Sequence, residues 1–305
     1  MATAKKGRAW HVSSRDGIPR PCNAKPGRCP YGNQMTSHYN NVEDALDAAD
    51  VINESIAKGV DFNSEVVVLK GKNGQGIISP KAEKLLQEDR SLSLATKKFN
   101  EVRQDLSKQL SEQLQGTGIK SLKIDGEDVV GTLSVVSESS RRNFNEEAFK
   151  QSFENTEDYE SYLNIVKRDD SIEHIGKSTR QAATDNYSKV SITTPRSEIK
   201  LDFEKDENGE VKLSDESYKK IENYIKFTNT IKEMEATHKA NRNRLSNAMK
   251  EAEVDSITMR GGYIQYTPEH YDVKLDRNKI KEDGLYDDYV EKSVVASHVR
   301  FRASK

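Results

Sequence analysis

The sequence predicts an α+β fold built from two similar halves, and three observations predict it. Residues 66–126 and 201–261 correspond without a gap at an offset of 135. Asn73-Gly74 falls on Asn208-Gly209, Ser79 on Ser214, Leu110-Ser111 on Leu245-Ser246, and Gly126 on Gly261. In each copy a short strand-type run breaks at an Asn-Gly pair, and a long helix-type stretch follows. Apolar residues make up 34% of the 305 and charged residues 32%. That is too little apolar material for one large core, and it suits long, mostly exposed helices with narrow apolar stripes. Along the chain this gives a basic Cys/His module with its helix (1–60), a first copy carrying a polar insertion (61–195) and a second copy (196–305).

The elements follow in order. Trp10-His11 reads as a short strand, and Val42–Lys58 as a helix with Ala45, Ala48, Ala49 and Ile52 on one side. Val66–Leu69 and Ile77-Ile78 flank Asn73-Gly74, and Leu201–Phe203 and Val211–Leu213 flank Asn208-Gly209. Asn-Gly favours the positive φ angles of a type I′ hairpin turn. Ser79 followed by Pro80, and Ser214 followed by Asp215 and Glu216, are helix starts. Each helix then runs on without an internal proline. Leu92, Phe99 and Leu106 are spaced by seven in the first, and Tyr224, Ile231, His238 and Leu245 in the second. Such spacing predicts coiled-coil-like pairing of the two helices, within the chain or across a homodimer. His238 and Asn241 interrupt the stripe, a polar pair of the kind that fixes register.

Ile119–Ile124 and Val254–Met259 read as strands, with Val129–Val136 and Tyr263–Tyr266 returning after the turns at Gly126 and Gly261-Gly262. A short helix follows in each copy (Phe144–Phe153; Leu275–Lys281), then a two-tyrosine element (Tyr159–Tyr162; Tyr286–Tyr289). Val295, Ser297, Val299 and Phe301 alternate along a closing strand, with Arg300 and Arg302 on its other face. The first copy's counterpart is placed at Lys189–Thr193, displaced by the polar stretch Lys167–Asn186.

The net charge of −2 is unevenly placed. Residues 1–42 carry Lys5, Lys6, Arg8, Arg15, Arg20, Lys25 and Arg28 against Asp16 alone. A basic arm on an acidic body suits nucleic acid, an acidic partner, or the body itself. Arg8, Arg15, Arg20, Lys25 and Arg28 are therefore candidate nucleic-acid contacts, as are Lys239, Arg242 and Arg244 on the second long helix. The alternative for the helix residues is a solvated face. No run approaches the roughly 18–20 apolar residues that span a bilayer, and the start has no apolar signal core. The expectation is a cytoplasmic protein without membrane contact.

The only cysteines, Cys22 and Cys29, stand in the basic arm with His11 and His38. In a reducing compartment a structural disulfide is not expected. Two thiolates and two imidazoles can close a tetrahedral zinc site, which makes Cys22, Cys29, His38 and His11 the candidate ligands and zinc the candidate cofactor. The competing reading has reduced thiols packed beneath Trp10 and Tyr39. Lys70–Gly76 is glycine-rich but lacks the phosphate-loop spacing, and no catalytic constellation stands out, so a non-enzyme is expected.

Two resemblances bear on function. The long charged helix, the hairpin "GIKSLKIDG" or "EVDSITMRG", and "FNEEAFK…YESY" or "LDRNKIK…YDDY" together resemble a module of small phage and prophage proteins. Those proteins are encoded near recombination nucleases and single-strand-binding proteins. The module also resembles the carboxyl end of some phage-type recombination exonucleases. The likeness covers roughly two thirds of the chain, as pattern, and transfers no catalytic residue. Cys22, Cys29, Pro30, Gly32 and His38 resemble an N-terminal "PC…CPxG…HY" segment of actinobacterial phage proteins. These likenesses imply a phage or prophage accessory protein that binds a protein partner in DNA replication, recombination or counter-defence. The alternative is a nucleic-acid-binding protein led by the N-terminal module.

Overall fold

The computed structural model describes residues 10–12, 18–23, 38–39, 41–175, 198–205, 211–259 and 262–304. Three short strands, β1 (Trp10–Val12), β2 (Pro19–Pro21) and β3 (His38–Tyr39), precede helix α1 (Val42–Ala57). A hairpin of β4 (Val68–Lys70) and β5 (Gly76–Ile78) leads into the long helix α2 (Pro80–Gly116). Strands β6 (Ser121–Asp125), β7 (Val130–Val136) and β8 (Ser139–Phe144) follow, then helix α3 (Glu146–Phe153). A 3₁₀ turn (Tyr159–Tyr162) leads to β9 (Leu163–Arg168) and β10 (Ser171–Ile175). A second run has the same element order: β11 (Phe203–Lys205), β12 (Val211–Leu213), α4 (Asp215–Glu251), β13 (Ser256–Met259), β14 (Gly262–Thr267) and β15 (His270–Leu275). It ends with α5 (Arg277–Glu282), a 3₁₀ turn (Tyr286–Tyr289), β16 (Val290–Val295) and β17 (His298–Ala303). The protein is mixed α and β, with small antiparallel sheets.

Both long helices have 37 residues, and local chemistry sets their ends. Ser79 Oγ accepts from the Ala82 N–H, and Ser214 Oγ from the Ser217 N–H, so each serine satisfies a donor that the first turn leaves open. After α2 the chain reverses through Gly118 at φ +78, with the Ile119 N–H closing on the Leu114 carbonyl. After α4 the same reversal falls on Glu253 at φ +51, with the Val254 N–H on the Met249 carbonyl. A left-handed glutamate is strained where glycine is not. Glu253→Gly is therefore expected to raise stability by about 0.5–1 kcal/mol, read as a higher urea midpoint at unchanged slope.

The contacts form two compact units: Met1–Ala95, Asp169–Ser191 and Met234–His270 make the first, and Thr96–Arg168, Ile192–Glu233 and Tyr271–Lys305 the second. Each long helix thus contributes one half to each unit. In the first unit, one core joins Leu85, Leu86, Leu245 and Met249 to Ile257, Ile264 and Ile172 of the sheet β10-β14-β13. Another joins Val12, Phe62 and Ile77 to the alanine face of α1. In the second unit, Leu106, Leu110 and Leu114 pack on Ile221, Tyr224 and Ile225 and on Leu122, Ile124, Leu133 and Val299 of the sheet β17-β7-β6. A separate aromatic core gathers Phe144, Phe149, Tyr162 and Ile280.

Strand partners cross between the two runs. β17 pairs antiparallel with β7, β10 with β14, and β16 with β8, and β15 lies beside β9. Several elements differ from the sequence reading. Ser171–Ile175 is a strand inside the stretch read as a polar insertion, and the strand expected at Lys189–Thr193 lies outside the described residues. β8 and β15 lie where the sequence reading assigned no strand, ending at the residues read as the starts of the short helices, and the single closing strand is two, β16 and β17. Asn73-Gly74 stands in the hairpin loop between β4 and β5, but the turn is not the expected type I′: Gly74 alone has a positive φ, +80, and the Gly74 N–H donates to the Gly71 carbonyl, whereas Asn208-Gly209 lies outside the described residues.

Candidate functional site

Asp89 is buried at 0% exposure, and Glu83 at 2% is the other buried acid among the described residues. Asp89 stands on the first half of α2 at a stripe position between Leu85, Leu86 and Leu92. His174 of β10 places Nε2 3.1 Å from Asp89 Oδ2, and His238 of α4 places Nε2 3.3 Å from Oδ1. The imidazoles are about one-quarter exposed, 25% and 24%, while the carboxylate is at 0%. The contact from His174 is a hydrogen bond; that from His238 lacks hydrogen-bond geometry, and it is an ion pair when the imidazole carries a proton. Asn241, one helical turn from His238, is buried with Nδ2 unpaired, and so is His174 Nδ1. All of these residues belong to the first unit.

A carboxylate taken out of water is costly unless paired. Two imidazoles from two further elements supply that pairing and tie α2, β10 and α4 together. A carboxylate–imidazole pair is also half of a proton relay, but among the described residues each imidazole pairs with Asp89. The geometry therefore supports an ionic cross-link. Among the described residues no group of three His, Cys, Asp or Glu side chains is arranged to hold a metal ion.

The second unit carries the other notable surface. Ile165, Tyr271, Val273 and Val294 are large apolar side chains exposed by 69%, 66%, 64% and 72%. Three of them lie on the ladder β9-β15. Arg168 Nε donates to Asp272 Oδ2 at 2.8 Å, so the even-numbered residues of both strands share one face. Alternation puts Ile165, Tyr271 and Val273 together on the other. Leu275 continues that face inward, where it packs on the aromatic core. The result is an apolar strip that begins in a core and runs out into solvent, on a ladder of only two strands. Such a ladder is marginal by itself.

An open groove in the same unit is lined by Gln109, Glu112, Gln113, Glu198, Ile199 and Lys200. It is bridged by the chain itself. Gln113 Nε2 donates to the Ile199 carbonyl at 2.6 Å, Gln113 Oε1 accepts from the Leu201 N–H, and Gln109 Oε1 accepts from the Ile199 N–H.

The residues singled out from sequence fall as follows. β1 pairs with both β2 and β3, with His11 opposite Arg20 on one side and His38 on the other. Cys22 follows β2 directly and is half-buried; Cys29 lies outside the described residues. Burial pushes the Tyr39 phenol well up, and the Glu83 and Asp44 carboxylates add to the rise. Arg8, Arg15, Lys25 and Arg28 lie outside the described residues. Arg20 is exposed on β2. On α4, Lys239 and Arg244 are exposed and Arg242 is half-buried. At about 100° per residue, Lys239 and Arg244 diverge by about 140°, so the three do not form one phosphate-tracking stripe. Arg300 and Arg302 are exposed on β17, an outer strand of its sheet, where charge discourages edge pairing.

No known protein-family description matches the chain, and no curated protein or solved structure does either. No helix among the described residues is long and apolar enough to cross a membrane.

Proposed function

We propose that this is a non-enzymatic accessory protein of phage or prophage type, which acts in the cytoplasm by binding a protein partner in DNA replication, recombination or counter-defence. The observation that carries the binding role is the apolar strip of Ile165, Tyr271 and Val273. Contiguous exposed apolar surface marks interaction sites, and a two-stranded ladder with open edges suits a partner that adds a strand. The phage setting rests on the sequence resemblance. The repeated element order, the equal helix lengths and the matching reversals at Gly118 and Glu253 support descent from one duplicated module. In this reading α2 and α4 pair as a short coiled coil.

The test is affinity capture from nuclease-treated host lysate, with the wild-type chain beside Ile165→Lys/Val273→Lys. A specific DNA-metabolism or defence protein held by the wild type and lost by the variant is the expected result, with recovery falling at least about tenfold for a loss of about 1.4 kcal/mol. Equal capture by both proteins overturns the surface assignment. Partners that vanish on nuclease treatment favour direct nucleic-acid binding through the basic arm, with Arg20 as its described member. Nuclease activity abolished by one carboxylate variant, such as Asp89→Asn, overturns the non-enzymatic role.

A further inference from the structure

Lys123, Arg300 and Arg302 share the open face of the sheet β17-β7-β6. Directly opposed residues of an antiparallel pair belong to one face. Ser121 of β6 is opposed by Ser134 of β7, and Ser134 by Arg300 of β17. Two residues along, Lys123, Thr132 and Arg302 form a second row. Between these rows lies Leu122, Leu133 and Phe301, which faces the other way, into the core with Leu106 and Leu110. The two polar rows are therefore turned to solvent, and Ser121, Lys123, Thr132, Arg300 and Arg302 are all exposed. Asp125, two residues on from Lys123, closes the basic rows at one end. In the same unit Arg142, Arg168, Lys226 and Arg277 are tied to Asp287, Asp272, Asp128 and Glu146. Among the described residues Lys123, Arg300 and Arg302 have no acidic partner of that kind.

A solvated antiparallel face tolerates any polar mixture, and edge protection works with charge of either sign. The sheet β10-β14-β13 of the first unit shows this at the matching register. Its inward row is Ile257, Ile264 and His174, and the next row is Ser256, Gln265 and Glu173. Arg300 thus stands where the other sheet has a glutamate. Neither solvation nor edge protection selects a cation there, whereas a polyanionic ligand does.

We propose that this face of β17-β7-β6 binds the phosphodiester backbone of nucleic acid. Alternate residues of a strand stand about 6.8 Å apart, and strands on either side of a central one about 9–10 Å. At those spacings Arg300 and Arg302 meet neighbouring phosphates along β17, and Lys123 holds the backbone from across the sheet. Guanidinium forks suit phosphate oxygens, and the hydroxyls of Ser121, Thr132 and Ser134 between the cations donate to the same oxygens. These rows carry no aromatic ring on which a base could stack, so the contact follows the backbone and not the sequence. The face uses none of the residues of the apolar strip at Ile165, Tyr271 and Val273, and the two surfaces serve different ligands.

The experiment is fluorescence anisotropy of a labelled single-stranded oligonucleotide, and of its duplex, titrated with the full chain from about 50 to 200 mM salt. Three phosphate contacts contribute about 2 to the slope of log affinity against log salt for a single strand and about 3 for a duplex, a loss of roughly twenty- to fortyfold across that range. Lys123→Gln/Arg300→Gln/Arg302→Gln is expected to lose that share of the slope and to bind at least about tenfold more weakly at the lowest salt. Arg300→Lys/Arg302→Lys keeps the charge and is expected to keep the slope. A wild type that binds neither oligonucleotide overturns the proposal and leaves the face to an acidic protein. Equal slopes for the wild type and the glutamine variant overturn it and assign the binding to the basic arm. A slope lost as fully in the lysine variant as in the glutamine variant overturns it as well.

Discussion

The double variant His174→Ala/His238→Ala is expected to lose about 3–5 kcal/mol of stability, the usual cost of stripping the partners from a buried charge. Asp89 is fully buried, and its carboxylate is met by the two imidazoles at 3.1 and 3.3 Å. Removing both leaves an ion with no described partner, or a carboxyl that must take up a proton to fold. Asp89→Asn should cost less, about 1–2 kcal/mol, because an amide keeps the shape and can still bond one imidazole. Asp89→Leu with both histidines replaced by Leu should recover much of the loss, since apolar groups of similar volume often replace buried ion pairs without penalty. Urea unfolding of the four proteins checks the series. A double alanine variant that unfolds at the wild-type midpoint would show that the ionic centre contributes nothing.

Phe149→Ala is expected to cost a comparable 3–5 kcal/mol, and its effect should reach beyond α3. Phe149 is fully buried, and its ring centroid lies 4.6 Å from that of Phe153, 5.1 Å from Tyr289, 5.4 Å from Tyr162 and 5.5 Å from Phe144. Those rings come from α3, β8 and both 3₁₀ turns, so one side chain touches pieces of both runs. Among the described residues the cluster's other buried members are Phe144, Tyr162 and Ile280, with partly buried residues around them, and a core this small has little with which to refill the space. Hydrogen exchange should show protection lost together in β8, β9, β15 and β16. Partner capture through the strip at Ile165 and Val273 should fall with it. Phe149→Leu, which keeps most of the volume, should cost less than about 1.5 kcal/mol. Exchange changes confined to α3 would show that the ladders stand without this core.

Sequence periodicity revealed some of these features and could not have revealed others. The long helices were legible because serine caps, proline placement and heptad spacing are local. α1 was legible because its alanines repeat on one side. β8 was not, because Ser139–Phe144 has no apolar alternation. Its pairing with β16 is held by polar contacts, such as Asn143 to Ser293 and Asn145 to Glu291, which carry no period. β10 was lost in the same way: Ile172 is the one buried side chain among its described residues 171–174, and it pairs with Tyr266, remote in sequence. The buried centre was half visible. His238 and Asn241 broke the stripe of α4 and pointed to a polar interior. Asp89 broke the stripe of α2 as plainly, as a lone carboxylate among leucines, and that was the signal available. His174 gave none, because its place depends on a strand pairing that only the fold supplies. The strip at Ile165, Tyr271 and Val273 likewise follows from the Arg168–Asp272 contact, and no spacing in the sequence announces it.

The crossing of strand partners has a consequence for how the chain is made. β7 waits for β17, whose residues 298–303 leave the ribosome some 160 positions later, and β10 waits in the same way for β14. Neither sheet can close during synthesis of the first run, so the nascent chain carries open strand edges through most of translation, when such edges are prone to pair wrongly. The same wiring means that a cut within 206–210 would leave two fragments, neither holding a complete β17-β7-β6 or β10-β14-β13 sheet. Each would carry the strands the other lacks. Co-expressed, the fragments would have to find one another to fold, which makes the chain a natural split reporter of its own assembly.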